Sequence, residues 1–181
     1  MDRYYSQTVG TEIMTEGGLR AGYVLDVVTD TDTGKICGFL LAPRGQEAVA
    51  PIDVLYWANR MIIHDEEDIL ETQEIIKISK ILEKDIAILH KKVVTEKGEY
   101  LGHVFDYTID NKLFIMTKIF VAKTFLWFFP YEERIIAHKN IVEIKKDLIV
   151  VKNTTGLVRI RGKKVQPLKE KLKVDPSPTP L

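Results

Sequence analysis

One cysteine, Cys37, stands among the 181 residues. An internal disulfide needs two, so the fold rests on burial and hydrogen bonding, and a reducing compartment is expected. Set between Ile36 and Gly38, the thiol reads as a small buried apolar residue. Net charge is also missing: 26 Lys and Arg oppose 26 Asp and Glu. No global field therefore favours nucleic acid or a cationic partner. No apolar run approaches the ~20 residues that a spanning helix needs, the longest lying at residues 125–130. The chain opens Met-Asp-Arg-Tyr-Tyr, without a basic segment leading into an apolar one, so no secretion signal is expected and the reading is cytoplasmic. Glycine loops of the phosphate-cradling types are absent. His64, His90, His103 and His138 follow no metal-ligand spacing, and neither Ser6 nor Ser79 has a visible base. No catalytic residue, metal ligand or cofactor is expected, and the chain reads as a non-enzyme.

What the chain has instead is an internal repeat. With Gly22 set on Gly102, Thr15 meets Thr95, Glu16 meets Glu96, Gly18 meets Gly98, Val24 meets Val104, Asp26 meets Asp106 and Asp30 meets Asp110 without a gap. Further on, the stretch from Ala50 lies on that from Ala137, and Arg60 falls on Asp147. The second copy carries an insertion between Lys118 and Arg134, the stretch that holds most of its aromatic residues.

Each copy has a physical logic. Thr-Glu-x-Gly is a turn signal. A β-branched and aromatic run follows at residues 23–29 and 103–109, suited to a strand, and Gly22 or Gly102 at its start marks a bulge or a close backbone approach. Polar turns then lead to second strands at residues 36–41 and 113–121. Asp53 and Asn140 are placed to cap short helical turns ahead of closing strands at 61–64 and 148–151. Between the copies, Ile75, Ile78 and Leu82 have helical spacing, with Thr72 as the expected N-cap. The expected organisation is a first module over residues 6–70, a helical connector over 71–89, a second module over 90–158, and a basic, Pro-rich tail over 159–181 that ends in extended, disordered chain. The fold class is mainly β: two tandem small β-barrels joined by a short α-helix.

These features resemble the PRC-barrel family, known from the cytoplasmic domain of the photosynthetic reaction-centre H subunit and from the C-terminal domain of ribosome maturation factors. The resemblance is carried by Thr15, Glu16, Gly18, Gly22, Val24, Asp26 and Asp30, and by Val93, Val94, Thr95, Glu96, Gly98, Gly102, Val104, Asp106 and Asp110. It implies a small, mostly antiparallel barrel per copy, used for docking and without a catalytic motif.

Two stretches and two pairs of acids are the site candidates. Phe125, Leu126, Trp127, Phe128, Phe129 and Tyr131 form an aromatic run that cannot point one way on an extended segment. It reads either as a hairpin buried against the connecting helix or as a protein-docking or self-association patch. Arg159, Arg161, Lys163 and Lys164 begin a basic stretch that is either a solvated tail or a nucleic-acid contact. Asp26 with Asp30, and Asp106 with Asp110, read as acceptors at turns, a hard-cation site being the alternative. The function expected is a non-catalytic adaptor meeting a protein partner or a further copy of itself. The alternative is an RNA- or ribosome-associated maturation factor using the basic segment.

Overall fold

Short β-branched runs, cut by glycine and acidic turns, form many strands of three or four residues around a few longer ones. The computed structural model describes residues 1–125, 129–153 and 157–159. In chain order come β1 (Asp2–Tyr4), α1 (Tyr5–Thr8), β2 (Glu12–Thr15), β3 (Arg20–Thr29), β4 (Ile36–Leu41), β5 (Glu47–Val49), β6 (Val54–Trp57), β7 (Met61–Ile63) and β8 (Ile69–Glu71). Then follow α2 (Ile76–Lys84), β9 (Lys92–Thr95), β10 (Tyr100–Asp110), β11 (Ile115–Phe125), β12 (Phe129–Ala137), β13 (Ile141–Ile144), β14 (Leu148–Val151) and β15 (Leu157–Arg159). The chain is mainly β and its two sheets share one order. The first runs β6-β7-β2-β3-β4-β5-β8 and the second β13-β14-β9-β10-β11-β12-β15, with β1 added against β10. Even the parallel pair β2/β7 has its counterpart in β9/β14.

In each copy the long strand changes neighbours partway. Gly22 pairs with Ile13 of β2, whereas Val24 onward pairs with β4. Register breaks fall beside Gly22 and beside Gly102, and a second pair falls between Val24 and Asp26 and between Val104 and Asp106. Bulges of this kind bend a strand and raise its twist, which lets one strand serve both halves of its sheet. Gly102 is needed for space: a Cβ there would strike the backbone carbonyl of Ala122 in β11.

The two copies meet about a pseudo-two-fold. Gly34 and Phe114 occupy equivalent turns, their amides bonding to Asp30 and Asp110 carbonyls at 2.7 and 2.9 Å, and both are left-handed, with φ of 73° and 48°. Across the seam the Ile36 amide donates to the Phe114 carbonyl and the Met116 amide to that of Gly34, each at 2.8 Å. The Phe114 ring stacks on Trp57 of the first copy at 5.9 Å and meets Phe39 edge-on at 6.2 Å. The main core is therefore continuous: Ile13, Phe39, Trp57 and Met61 share one buried cluster with Val93, Tyr107, Ile119 and Ile149.

Local details depart from the sequence reading. The connecting helix begins after Ile75, which offers no side-chain cap. Thr72 lies too early to be the N-cap, and its amide instead bonds to the Gln46 carbonyl. The helix anchors through Ile78, with Ile75 and Ile81 beside it, while Leu82 stays exposed. Gly38 makes room for Ile78, since a Cβ there would strike that side chain. Asp53 and Asn140 do not cap their helical turns. They close the 3-10 turns Pro51–Asp53 and His138–Asn140, each of which starts after an alanine with no side-chain cap.

Candidate interaction surfaces

The repeated aspartates hold the backbone at its bends. Asp26 accepts from the Val27 amide at 2.7 Å and Asp106 from the Tyr107 amide at 2.8 Å, each at its bulge. Asp30 accepts from the Asp32 amide and the Thr33 hydroxyl, Asp110 from the Lys112 and Leu113 amides. All four acids thus spend acceptor capacity on turns and bulges. Among the described residues no group of three or more His, Cys, Asp or Glu is placed to hold a metal ion. Backbone donors from Leu113 and Lys112 keep Asp110 below the usual carboxylate range. Burial alone would raise Asp30, but the Thr33 hydroxyl and the Asp32 amide outweigh it and the net shift is downward.

Above the bulges the copies differ, and here lie residues that the sequence reading missed. The first residues of the chain cross to the second copy. There β1 pairs with β10, Arg3 facing Ile109, and Ser6 gives both its amide (3.2 Å) and its hydroxyl (2.6 Å) to Asp106. Tyr5 stacks on Tyr107 at 4.9 Å and donates its hydroxyl to Asp26 at 2.9 Å, so one side chain joins both copies. Burial, then the Asp26 charge, raise the Tyr5 phenol above its ordinary value, and burial does the same for Tyr107. Beside this cluster a cavity of about 320 Å³ opens between β3, the end of α2 and the connector to β9. The only sequence signal was the break in the repeat where Val27 faces Tyr107 across the alignment.

The insertion in the second copy lengthens a hairpin. Ile119↔Ile136 and Phe120↔Ile135 match Phe39↔Val49 and Leu40↔Ala48 of the first copy, whose hairpin pairing ends there. The second copy continues through Val121↔Arg134, Ala122↔Glu133, Lys123↔Glu132, Thr124↔Pro130 and Phe125↔Phe129. Glu132 ties this extension together by pairing with Lys123 at 3.5 Å and with Arg134. Phe125↔Phe129 is the outermost of these pairs. Phe125, Phe129 and Tyr131 lie on the hairpin's two strands, whereas Leu126, Trp127 and Phe128 lie outside the described residues.

Of the basic candidates, Arg159 belongs to β15, paired with Glu133 of β12. Arg161, Lys163 and Lys164 lie outside the described residues, as does the Pro-rich end. Cys37 is buried against α2, and burial pushes its thiol up, which suits an unreactive packing residue. The histidines are dispersed: His64 faces Glu16, His103 bonds to Tyr100, His90 sits in the left-handed position equivalent to Gly10, and His138 packs under Gly34. No helix among the described residues is long and apolar enough to cross a membrane.

No curated protein matches the chain. The family model of the PRC-barrel domain matches residues 1–75, a stretch that spans the whole first sheet and ends just before α2. The strand order and bulge positions of that stretch recur from β9 to β15. Residues 1–75 are thus similar to a PRC-barrel domain.

Proposed function

We propose that the protein is a non-catalytic, cytoplasmic interaction module that docks a protein partner through the extended β11–β12 hairpin. One observation carries this reading: the second copy adds five register pairs to a hairpin that the first copy ends early, and Phe125↔Phe129 of the aromatic run is the outermost of them. Core packing uses only the base of the extension, where Val121 and Ala122 are buried, and the first copy completes its sheet without the outer pairs. Large aromatic side chains clustered on a projecting element are what interface hot spots are made of.

The test is Trp127→Ala and Phe128→Ser, with crosslinked capture from native lysate read beside urea unfolding. The expected result is an unchanged unfolding midpoint and loss of the proteins that the wild type captures. A lowered midpoint would make the aromatics core residues, and undiminished capture would place docking elsewhere. Co-sedimentation with ribosomal particles that fades steeply with salt would favour the basic segment instead.

A further inference from the structure

The cavity beside β3 has a structural cause in the repeat. In the second copy the edge of β10 from Thr108 to Asp110 is covered by β1, and Ser6 satisfies Asp106. By the alignment that sets Gly22 on Gly102, the counterparts of residues 2–4 are residues 82–84. These are the end of α2, followed by Asp85 in the left-handed conformation. A helix spends its amides and carbonyls internally, so it cannot pair with a strand edge as β1 does. Val28 and Thr29 therefore have β4 on one side and no strand on the other among the described residues. The space that β1 fills in one copy remains open in the other as the cavity of about 320 Å³.

Its lining is specific. Asp26, unlike Asp106, receives no Ser6-like pair of donors, and it forms no ion pair among the described residues. Tyr107 (3% exposed) and Thr29 (6% exposed) line the cavity, and their hydroxyls share only a long contact of 3.5 Å. Each retains hydrogen-bonding capacity in a place where unspent capacity is costly. Leu40, Ile81 and Ile88 supply an apolar wall. The carboxylates of Asp26 and Asp85 on the lining disfavour an anion, and the Tyr5–Tyr107 stack brings aromatic faces to which a cation is attracted. The volume lies at the lower end for ligand pockets.

We propose that this cavity binds a primary ammonium group on a short apolar stem. The ammonium donates to the Asp26 carboxylate, and the stem packs on Leu40, Ile81 and Ile88. The same chemistry is offered by a free alkylamine and by a lysine side chain. Titrations of the full chain with n-butylamine, with 1-butanol as an uncharged isostere, and with Nα-acetyl-lysine methylamide, followed by amide chemical shifts, test it. Saturable shifts at Val28, Thr29 and Ile88 are expected with both amines, and 1-butanol should bind at least about tenfold more weakly. Asp26→Asn, checked for an unchanged circular dichroism spectrum, should weaken butylamine by a similar factor. Ile81→Trp, which enlarges a lining residue and leaves Asp26 in place, should abolish saturation. Tighter binding of the lysine derivative would identify a peptide as the source, and tighter binding of butylamine a free amine. Absence of saturation, equal binding of 1-butanol, or an undiminished response in both variants would overturn the proposal. None of these outcomes depends on the hairpin.

Discussion

Gly102→Ala should be far more damaging than Gly22→Ala, although the two glycines are equivalent in the repeat. A Cβ on Gly102 would meet the carbonyl carbon and oxygen of Ala122 and the amide nitrogen of Lys123, all backbone of the paired strand β11. Such a neighbour cannot swing aside. The strand would have to move, breaking the pair His103↔Ala122. Overpacking of this kind costs about 1–3 kcal/mol. A further ~1–3 kcal/mol comes from holding alanine at a φ of 127°. At Gly22 the nearest atom is instead Cδ2 of Leu41, at 3.2 Å, the movable tip of a side chain, and φ is 158°, nearer the extended range. Alanine also restricts the unfolded chain, which returns about 0.4–1 kcal/mol. Gly22→Ala should therefore stay within about 1 kcal/mol of wild type, and Gly102→Ala should lose about 1–6 kcal/mol. Native stabilities of about 5–15 kcal/mol make that loss easy to see in urea unfolding. The readouts are far-ultraviolet circular dichroism and Trp57 fluorescence in a Trp127→Phe background. Because the core is continuous across the seam, both signals should move together, although Trp57 belongs to the first copy and the mutation to the second. Equal costs for the two alanines would refute the close-approach argument, and separate transitions would refute the shared core.

Phe114→Gly should be less destabilising than Phe114→Ala, reversing the usual order. Both lose the contacts with Trp57 and Phe39, but alanine keeps the cost of a left-handed φ of 48° while glycine does not. A difference of about 1 kcal/mol in thermal unfolding is expected, and a more stable alanine variant would show that the turn is unstrained. Acid should weaken the fold through the turn acids. Asp110 is held below the unfolded carboxylate value by the Leu113 and Lys112 amides. Its contribution is complete above that unfolded value, near ~4, and is lost as pH falls through the lower folded one. Asp30, also lowered on balance, acts in the same direction. Asp110→Asn should flatten the acid limb of urea midpoints measured from about pH 6 to about pH 2, and an unchanged limb would remove the acid from this role.

Much of the architecture was legible because bulges and turns are local. The acids at 26, 30, 106 and 110 each accept from an amide one or two residues ahead, so the same residue type recurs wherever the same bend recurs. The insertion was visible as a loss of spacing. The helix was visible as a period but not as a face: Ile81 turns inward and Leu82 outward, a choice made by the sheet beneath rather than by the helix. The seam was not legible. Its partners are distant in the chain, as with Tyr5 and Asp26 or Trp57 and Phe114, and they lie where the copies diverge. The short strand β1 has three residues and no alternation to announce it; it exists because β10 offers an edge.

Divergence at the seam follows from what a duplicated module must do. Two identical copies would each have to cover the same sheet edge with the same preceding segment, yet residues 82–84 must also carry the chain from one sheet to the other. Residues 2–4 lie down as a strand, and Asp106 gains two donors from Ser6. The joining segment must travel from β8 to β9, and it does so as a helix pinned by Ile78 over Gly38. The helix covers the face of the first sheet but leaves part of its edge unpaired. Tyr107, standing where the first copy has Val27, fills some of the resulting gap and stacks on Tyr5. The asymmetry that produces the cavity is thus a consequence of chain connectivity, and the hairpin extension is a separate, local insertion. Loss of one should leave the other intact, because Asp26 and the aromatic run belong to different copies.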